Sequence, residues 1–238
     1  MYGNMGYYGY GFDWTYLLVL AGAILSLIAS AKVNSTFQKY AKVRSMCGMT
    51  AAQVARRILD RNGLSDIPVE HVSGNLSDHY DPTSKVLRLS DSTYHSPSVA
   101  AIGVAAHECG HAIQHKESYG PLKLRTAIVP MANIGSRLGI PIILLGLFFG
   151  SGGNFLVTIG IWAFSLAVLF QVVTLPVEFN ASNRALMMLE DYGILGQEEK
   201  RKAKSVLSAA AMTYVAAAAS SIIQLLRLVI LFGGRDRD

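Results

Sequence analysis

Four long apolar runs constrain this chain more than anything else in it. They are "WTYLLVLAGAILSLIASAKV" from Trp14, "AIVPMANIGSRLGIPIILLGLFF" from Ala127, "NFLVTIGIWAFSLAVLFQVVTLP" from Asn154 and "AAAMTYVAAAASSIIQLLRLVILF" from Ala209. A helix needs about 20 mostly apolar residues to cross the hydrocarbon core of a bilayer, and each run is long enough. The first and third are the cleanest. Asn133, Ser136 and Arg137 interrupt the second, so its first half is expected along the interface or against protein. Arg137 is costly if it faces lipid, and it is expected to line a polar cavity. The fourth run is rich in small residues, which let helices approach closely within a membrane. Its Ala-rich half has a second reading, packing against a soluble unit. Arg227, near the end of that run, is expected to snorkel to the interface.

The rest of the chain is not membrane-like. Hydrophobic residues make up 51% and charged residues 16% of the 238 positions, too apolar for a soluble domain and too polar for spans alone. The formal charge of +5 suits basic loops better than nucleic-acid binding, for which no motif is present. Twelve Lys and Arg fall between Lys32 and Arg125, and five between Arg184 and Lys204. Four spans would put both segments on one side, which the positive-inside rule makes the cytoplasm. Both termini are then outside. The opening "MYGNMGYYGYGFDW" has no basic residue, so it does not read as a cleavable signal peptide. It reads as an interfacial or disordered tail.

Between the first two runs lies a polar stretch long enough for a small folded unit. "TAAQVARRILDRNG" predicts an amphipathic helix, with Thr50 and Gln53 as a capping box and Gly63 as its stop. "PVEHVSG", "LSDHY" and "KVLRLS" predict short strands, with a turn at "DPTS". "SPSVAAIGVAAHECGHAIQH" predicts a helix capped by Ser96 with Pro97 in its first turn. Two cysteines, Cys47 and Cys109, suggest no disulfide framework, and Cys109 faces away from the histidines on that helix.

The chemistry sits in "HECGH". His107 and His111, four apart, share one helix face and can grip one metal ion, and Glu108 is placed to take a proton from a zinc-activated water. Such a pattern arises by chance in a chain this long with a probability of about 1%. His115 lies about 12 Å further along the helix axis, too far to share the ion. Glu178, in "LPVEFNASNRAL", is the better third ligand. Pro176 suits a helix start, which puts Glu178 in the first turn, with Ala181, Ser182 and Ala185 forming a small face below it. The second and third runs form a hairpin that returns the chain to the side it left, which brings Glu178 back beside His111.

"HECGH" on a helix and "EFNAS" after a membrane hairpin resemble the gluzincin membrane proteases of the HtpX and CAAX-prenyl-protease type. The closer resemblance is to the YugP-like family of predicted neutral zinc metallopeptidases, and it extends over most of the chain. It implies one Zn2+ per chain held by His107, His111 and Glu178, with Glu108 as catalytic base. The YugP-like pattern has Asp where this chain has Asn180, and the HtpX-like pattern has Asp where it has Ser182. That Asp supports a zinc-binding histidine without touching the metal, a task left here to Ser182, Asn180 or another group. An oxyanion donor is also needed, for which Arg184, Tyr94, His95 and His79 are candidates. "KVLRLS" reads equally as an edge strand for an extended peptide substrate or as an internally paired strand.

The expected architecture is a mainly α, multi-pass membrane protein with a small α+β gluzincin-like metalloprotease domain. It divides into a Gly/Tyr-rich tail (1–13), a first transmembrane helix (14–31), a cytoplasmic catalytic region (32–125) and a transmembrane hairpin (126–176). Cytoplasmic helices carrying the third ligand (177–208), a fourth transmembrane helix (209–232) and a short tail (233–238) follow. The expected function is zinc-dependent endopeptidase activity on protein or peptide substrates at the cytoplasmic face, with a gating membrane protein or a second copy as a partner. The alternatives are a metal-stabilised scaffold without turnover and an intramembrane protease of the site-2 type.

Overall fold

The computed structural model describes residues 13–232, so the Gly/Tyr-rich stretch 1–12 and the tail 233–238 lie outside the described residues. Six α-helices carry most of the chain: α1 (Thr15–Ala41), α2 (Ala51–Arg61), α3 (Val99–Lys116), α4 (Gly120–Phe148), α5 (Asn154–Asp191) and α6 (Gln197–Phe232). Three strands, β1 (Val69–Val72), β2 (His79–Asp81) and β3 (Val86–Ser90), lie between α2 and α3. Four helices, α1, α4, α5 and α6, are long and apolar enough to cross a membrane.

Helix length couples the membrane to the rest of the fold. At about 1.5 Å per residue, the 38 residues of α5 and the 36 of α6 reach well beyond the roughly 30 Å of a bilayer core. The same helices that can span lipid therefore continue into the polar part. This corrects the expected helix start at Pro176: α5 runs through that proline without a break. Pro176 removes one helix donor and leaves the Val172 carbonyl without its usual partner, but packing against α3, α4 and α6 holds the helix on both sides. Glu178 is consequently a mid-helix residue, and dipole stabilisation of a first turn does not explain it. Helix α6 likewise runs unbroken past 208, and the start of its Ala-rich half packs beside α3, where Ala210, Ala211 and Tyr214 stand next to His107 and Glu178.

Close backbone approach joins these helices. A Cβ on Gly135 of α4 would lie 2.0 Å from the Ala163 carbonyl of α5, so the hairpin's contact requires glycine there. Arg137 is exposed on α4 and does not line the cavity described below, contrary to expectation. Arg227 does not simply snorkel. Its guanidinium donates to Thr15 Oγ1 at 3.0 Å, lies 3.5 Å from Asp13 and stacks over Tyr16, tying the end of α6 to the start of α1.

In the polar part, the expected box caps α2: Thr50 Oγ1 accepts from the Gln53 amide, and the Gln53 side chain accepts from the Thr50 amide. Gly63, at φ +65°, closes the helix. Helix α3 is capped by Ser98, not Ser96, with Ser98 Oγ accepting from Ala101 N. The reason is tertiary. The Ser45 amide donates to the Pro97 carbonyl and the Val99 amide to Val43, so this pairing keeps Pro97 and Ser98 extended before the helix begins. The sheet order is β1-β3-β2, with β1 parallel and β2 antiparallel to β3. Strand β3 is therefore central, the internally paired of its two readings, and its Leu87 and Leu89 are fully buried against α2 and α3. The free edge beside α3 belongs to β2.

Candidate metal centre

Helices α3 and α5 meet where both are small. A Cβ on Gly110 would lie 2.7 Å from the Ala181 carbonyl, and Ala181 and Ala185 are fully buried. This contact brings Glu178 over the histidine face of α3. His107 Nε2 and His111 Nε2 are 3.1 Å apart, and Glu178 Oε2 lies 3.3 Å from the first and 3.5 Å from the second. Two donors bound to zinc at about 2.0–2.2 Å in a tetrahedral arrangement stand about 3.3–3.6 Å apart; both carboxylate separations match this and the histidine pair is slightly closer, so the three atoms can share one ion. Glu178 Oε2 is also a buried acceptor without an aligned hydrogen bond, as an oxygen reserved for a cation would be. The three residues form a candidate metal site.

Each imidazole is oriented through its other nitrogen. His107 Nδ1 is 3.1 Å from Ser182 Oγ. His111 Nδ1 is 3.0 Å from the side-chain oxygen of Gln114, and Gln114 in turn donates to the Val177 carbonyl and to Asn180 Oδ1, both at 2.9 Å. The support expected from Ser182 or Asn180 is thus divided: Ser182 touches one histidine, and Asn180 reaches the other through fully buried Gln114. Burial pushes His111 towards the neutral form, but the nearby Glu178 carboxylate, the charge of Glu108 and the Gln114 contact outweigh it. Its pKa in the metal-free protein is raised.

Arg125 completes the carboxylate. Its guanidinium donates to Glu178 Oε1 at 3.1 Å, leaving Oε2 to face the histidines. Arg125 lies 25 residues before the turn that begins at Gly150, and Glu178 lies 25 residues after its last residue, Gly153. Equal arms of a helical hairpin put both at one height, a signal present in the sequence once the turn is located.

Glu108 is buried beside the centre, and its Oε2 accepts from the Tyr80 amide at 3.0 Å. Tyr80 belongs to the free edge of β2. A cavity of about 850 Å³ opens between β2, α3 and α4 and is lined by His107, Glu108, His111 and Glu178. His79 lines it too, with its Nδ1 2.8 Å from the Ser77 carbonyl. His115 contacts the Tyr80 hydroxyl at 2.9 Å and stays outside the ligand triad, as expected. Arg184 does not line the cavity; it bridges Asn180 and Glu117. Tyr94 and His95 pack edge to face beside His71, also away from the cavity. Tyr214 of α6, which sequence reasoning did not single out, lines the cavity beside Glu178. Its run reads as membrane helix, and nothing local distinguishes it. Cys109 is fully buried and burial pushes its thiol well up, so it is a packing residue rather than a nucleophile.

Comparison with known proteins agrees with this geometry. The chain is 51% identical over 222 residues to a Bacillus subtilis (strain 168) protein named "Putative membrane protease YugP", covering 93% of this chain and 98% of that one. No solved structure matches the chain significantly. Residues 15–233 match the family described as "Putative neutral zinc metallopeptidase", and the chain belongs to that family.

Proposed function

We propose that the protein is a membrane-anchored zinc endopeptidase with its active site at the cytoplasmic face. The observation that carries this reading is the triad His107, His111 and Glu178 at zinc-ligand spacing, with the Glu108 carboxylate buried beside it. Zinc, when bound, supplies a Lewis acid for the scissile carbonyl and makes a water acidic enough to serve as nucleophile near neutral pH. Glu108 accepts the proton that the attacking water loses and delivers it to the departing amine. The Tyr80 amide holds Glu108 in place before substrate arrives. Arg125 fixes the Glu178 carboxylate through one oxygen. The Tyr214 hydroxyl serves as donor to the developing oxyanion.

An extended substrate adds to the free edge of β2. Tyr80 pairs with Leu87 in the antiparallel register while its amide points to Glu108, so its backbone polar groups face the cavity. The unit formed by α2, the sheet and α3 is read as gluzincin-like, with the spans at 14–31, 126–176 and 209–232. The charge asymmetry of the loops supports a cytoplasmic site with external termini. Accessibility labelling of single cysteines placed at 46 and 152 tests this: modification of the first only from inside and the second only from outside is expected, and the reverse overturns the orientation.

Metal analysis and proteomics of the intact protein in its membrane test the activity. Wild type and Glu108→Gln should both hold one zinc per chain, and only wild type should generate new peptide termini. Glu178→Ala should lose the metal. If wild type and Glu108→Gln give the same termini, the protein is a metal-stabilised scaffold.

A further inference from the structure

A second cavity, of about 230 Å³, adjoins the same centre. Asp78, His107, Glu108, Glu178 and Tyr214 line both cavities, so the two adjoin at the point where a scissile bond would sit. Their remaining walls differ in kind. The larger space carries Lys123, Arg125, His79 and His115, and suits a polypeptide backbone with varied side chains. The smaller is walled mainly by α1, α3 and α6, with Leu76 and Asp78 of the segment before β2 and Ser182 of α5 completing it. Phe37, Val206 and Leu207 are buried in its wall, and Val33, Val104 and Ala210 are partly exposed.

We propose that this smaller cavity is a specificity subsite that takes an apolar side chain of Leu, Met or Phe size from a residue flanking the scissile bond. The proposal rests on the peptidase reading above and names the class of peptide that the site selects. Size supports it: an apolar cavity of about 150 Å³ admits a benzene ring, so this one holds a branched aliphatic or a phenyl side chain. Polarity supports it as well. A site that selects a polar side chain keeps buried partners free for it. Here the polar groups beyond the metal centre are already engaged. Asp78 accepts from Ser90 N, Ser90 Oγ and Thr93 Oγ1 at 2.8, 2.9 and 3.2 Å, and Thr213 Oγ1 donates to the Ala210 carbonyl at 2.7 Å. A glutamate side chain entering this space would lose its water and meet the carboxylates of Asp78, Glu108 and Glu178, and a lysine would have to compete with the three donors that already hold Asp78. Position supports it too: the cavity is lined by two residues of the candidate ligand triad and by Glu108, so a side chain in it belongs to a residue next to the reacting bond.

The test uses full-length, zinc-loaded protein in lipid nanodiscs, with Ala210→Leu to fill the cavity and Ala210→Val as a milder filling. A peptide library randomised at the two positions flanking the cut reads selectivity. Wild type should favour Leu, Met or Phe at one of them by roughly tenfold or more over Gly, Lys or Asp. Ala210→Leu should move that preference towards Ala by at least about tenfold, with Ala210→Val between. Unchanged preference in Ala210→Leu, or charged residues accepted equally at both positions, overturns the subsite. A second readout does not need turnover: a hydroxamate bearing a leucine side chain should bind zinc-loaded Glu108→Gln at least about tenfold tighter than its glycine counterpart. Adding Ala210→Leu should abolish the difference. Equal binding of the two hydroxamates overturns the subsite even where cleavage is seen. No cleavage together with a retained leucine preference overturns the peptidase reading and leaves the subsite standing.

Discussion

Gln114→Ala isolates how the protein holds its metal, because Gln114 touches no ligand atom that would bind the ion. Its side-chain oxygen is 3.0 Å from His111 Nδ1, and its amide nitrogen donates to the Val177 carbonyl and to Asn180. With His111 Nε2 turned to the metal, Nδ1 carries the proton and Gln114 accepts it. Removing that acceptor leaves a buried imidazole N–H without a partner, at a cost of about 1–3 kcal/mol. The ring also loses the contact that fixes its rotation. Loss of such an outer partner weakens metal affinity by about 10–100-fold, or about 1.4–2.7 kcal/mol, which agrees with the single hydrogen bond counted from the structure. Competition with a chromophoric chelator on detergent-solubilised protein measures the zinc dissociation constant directly. Asn180→Ala serves as comparator. It removes one partner of Gln114 but leaves the Val177 carbonyl to hold the amide, so zinc affinity should change by less than about threefold, well under the loss expected for Gln114→Ala. Gln114→Ala binding zinc as tightly as wild type, or Asn180→Ala weakening it as much as Gln114→Ala, would refute the reasoning.

Other consequences follow from the same geometry. Gly110→Ala puts a methyl 2.7 Å from the Ala181 carbonyl, a backbone atom that cannot swing aside, so stability should fall by about 1–3 kcal/mol in thermal unfolding; an unchanged Tm would show that α3 and α5 separate easily. Tyr214→Phe should keep full zinc and lower kcat by about 10²–10³-fold, as removal of an oxyanion donor does, and a kcat within threefold of wild type would exclude that role. The raised pKa of His111 in the metal-free protein gives opposite pH slopes for the two forms. A raised pKa stabilises the folded chain at pH below the ordinary histidine range, and that contribution is lost as pH rises through the folded value. Metal-stripped protein should therefore lose Tm as pH rises through the folded pKa, whereas zinc, competing with the same proton, should bind more tightly over that interval. Parallel slopes for stripped and loaded protein would contradict it.

Most of the ligand triad was legible before any coordinates because its cues are local or topological. A four-residue spacing puts His107 and His111 on one face of any α-helix, and a membrane hairpin must return Glu178 to the side it left. The expected helix start at Pro176 did not hold, because proline ends a helix by local preference while packing on several sides keeps α5 intact. Whether β3 is an edge or an internal strand was open in the sequence. Strand order depends on which partners flank a strand, and β1 and β2 enclose β3 although both precede it in the chain. Of the oxyanion candidates, His79 lines the cavity while Arg184, Tyr94 and His95 do not, and Tyr214, which also lines it, sits on a helix whose composition reads as membrane.

By itself the sequence determined the four candidate spans, the capped helix of the polar unit and the pairing of His107 and His111 on one helix face with Glu108 beside them. Each of these is a periodicity or a spacing within one segment, and helix geometry converts it directly into a face. Tertiary structure alone decided that Arg125 grips one oxygen of Glu178, that Gln114 orients His111, and that two unlike cavities meet at the centre. Those contacts depend on the rotation and crossing of helices relative to one another. That relation is set by backbone approach at points such as Gly110 on Ala181, which no single segment records.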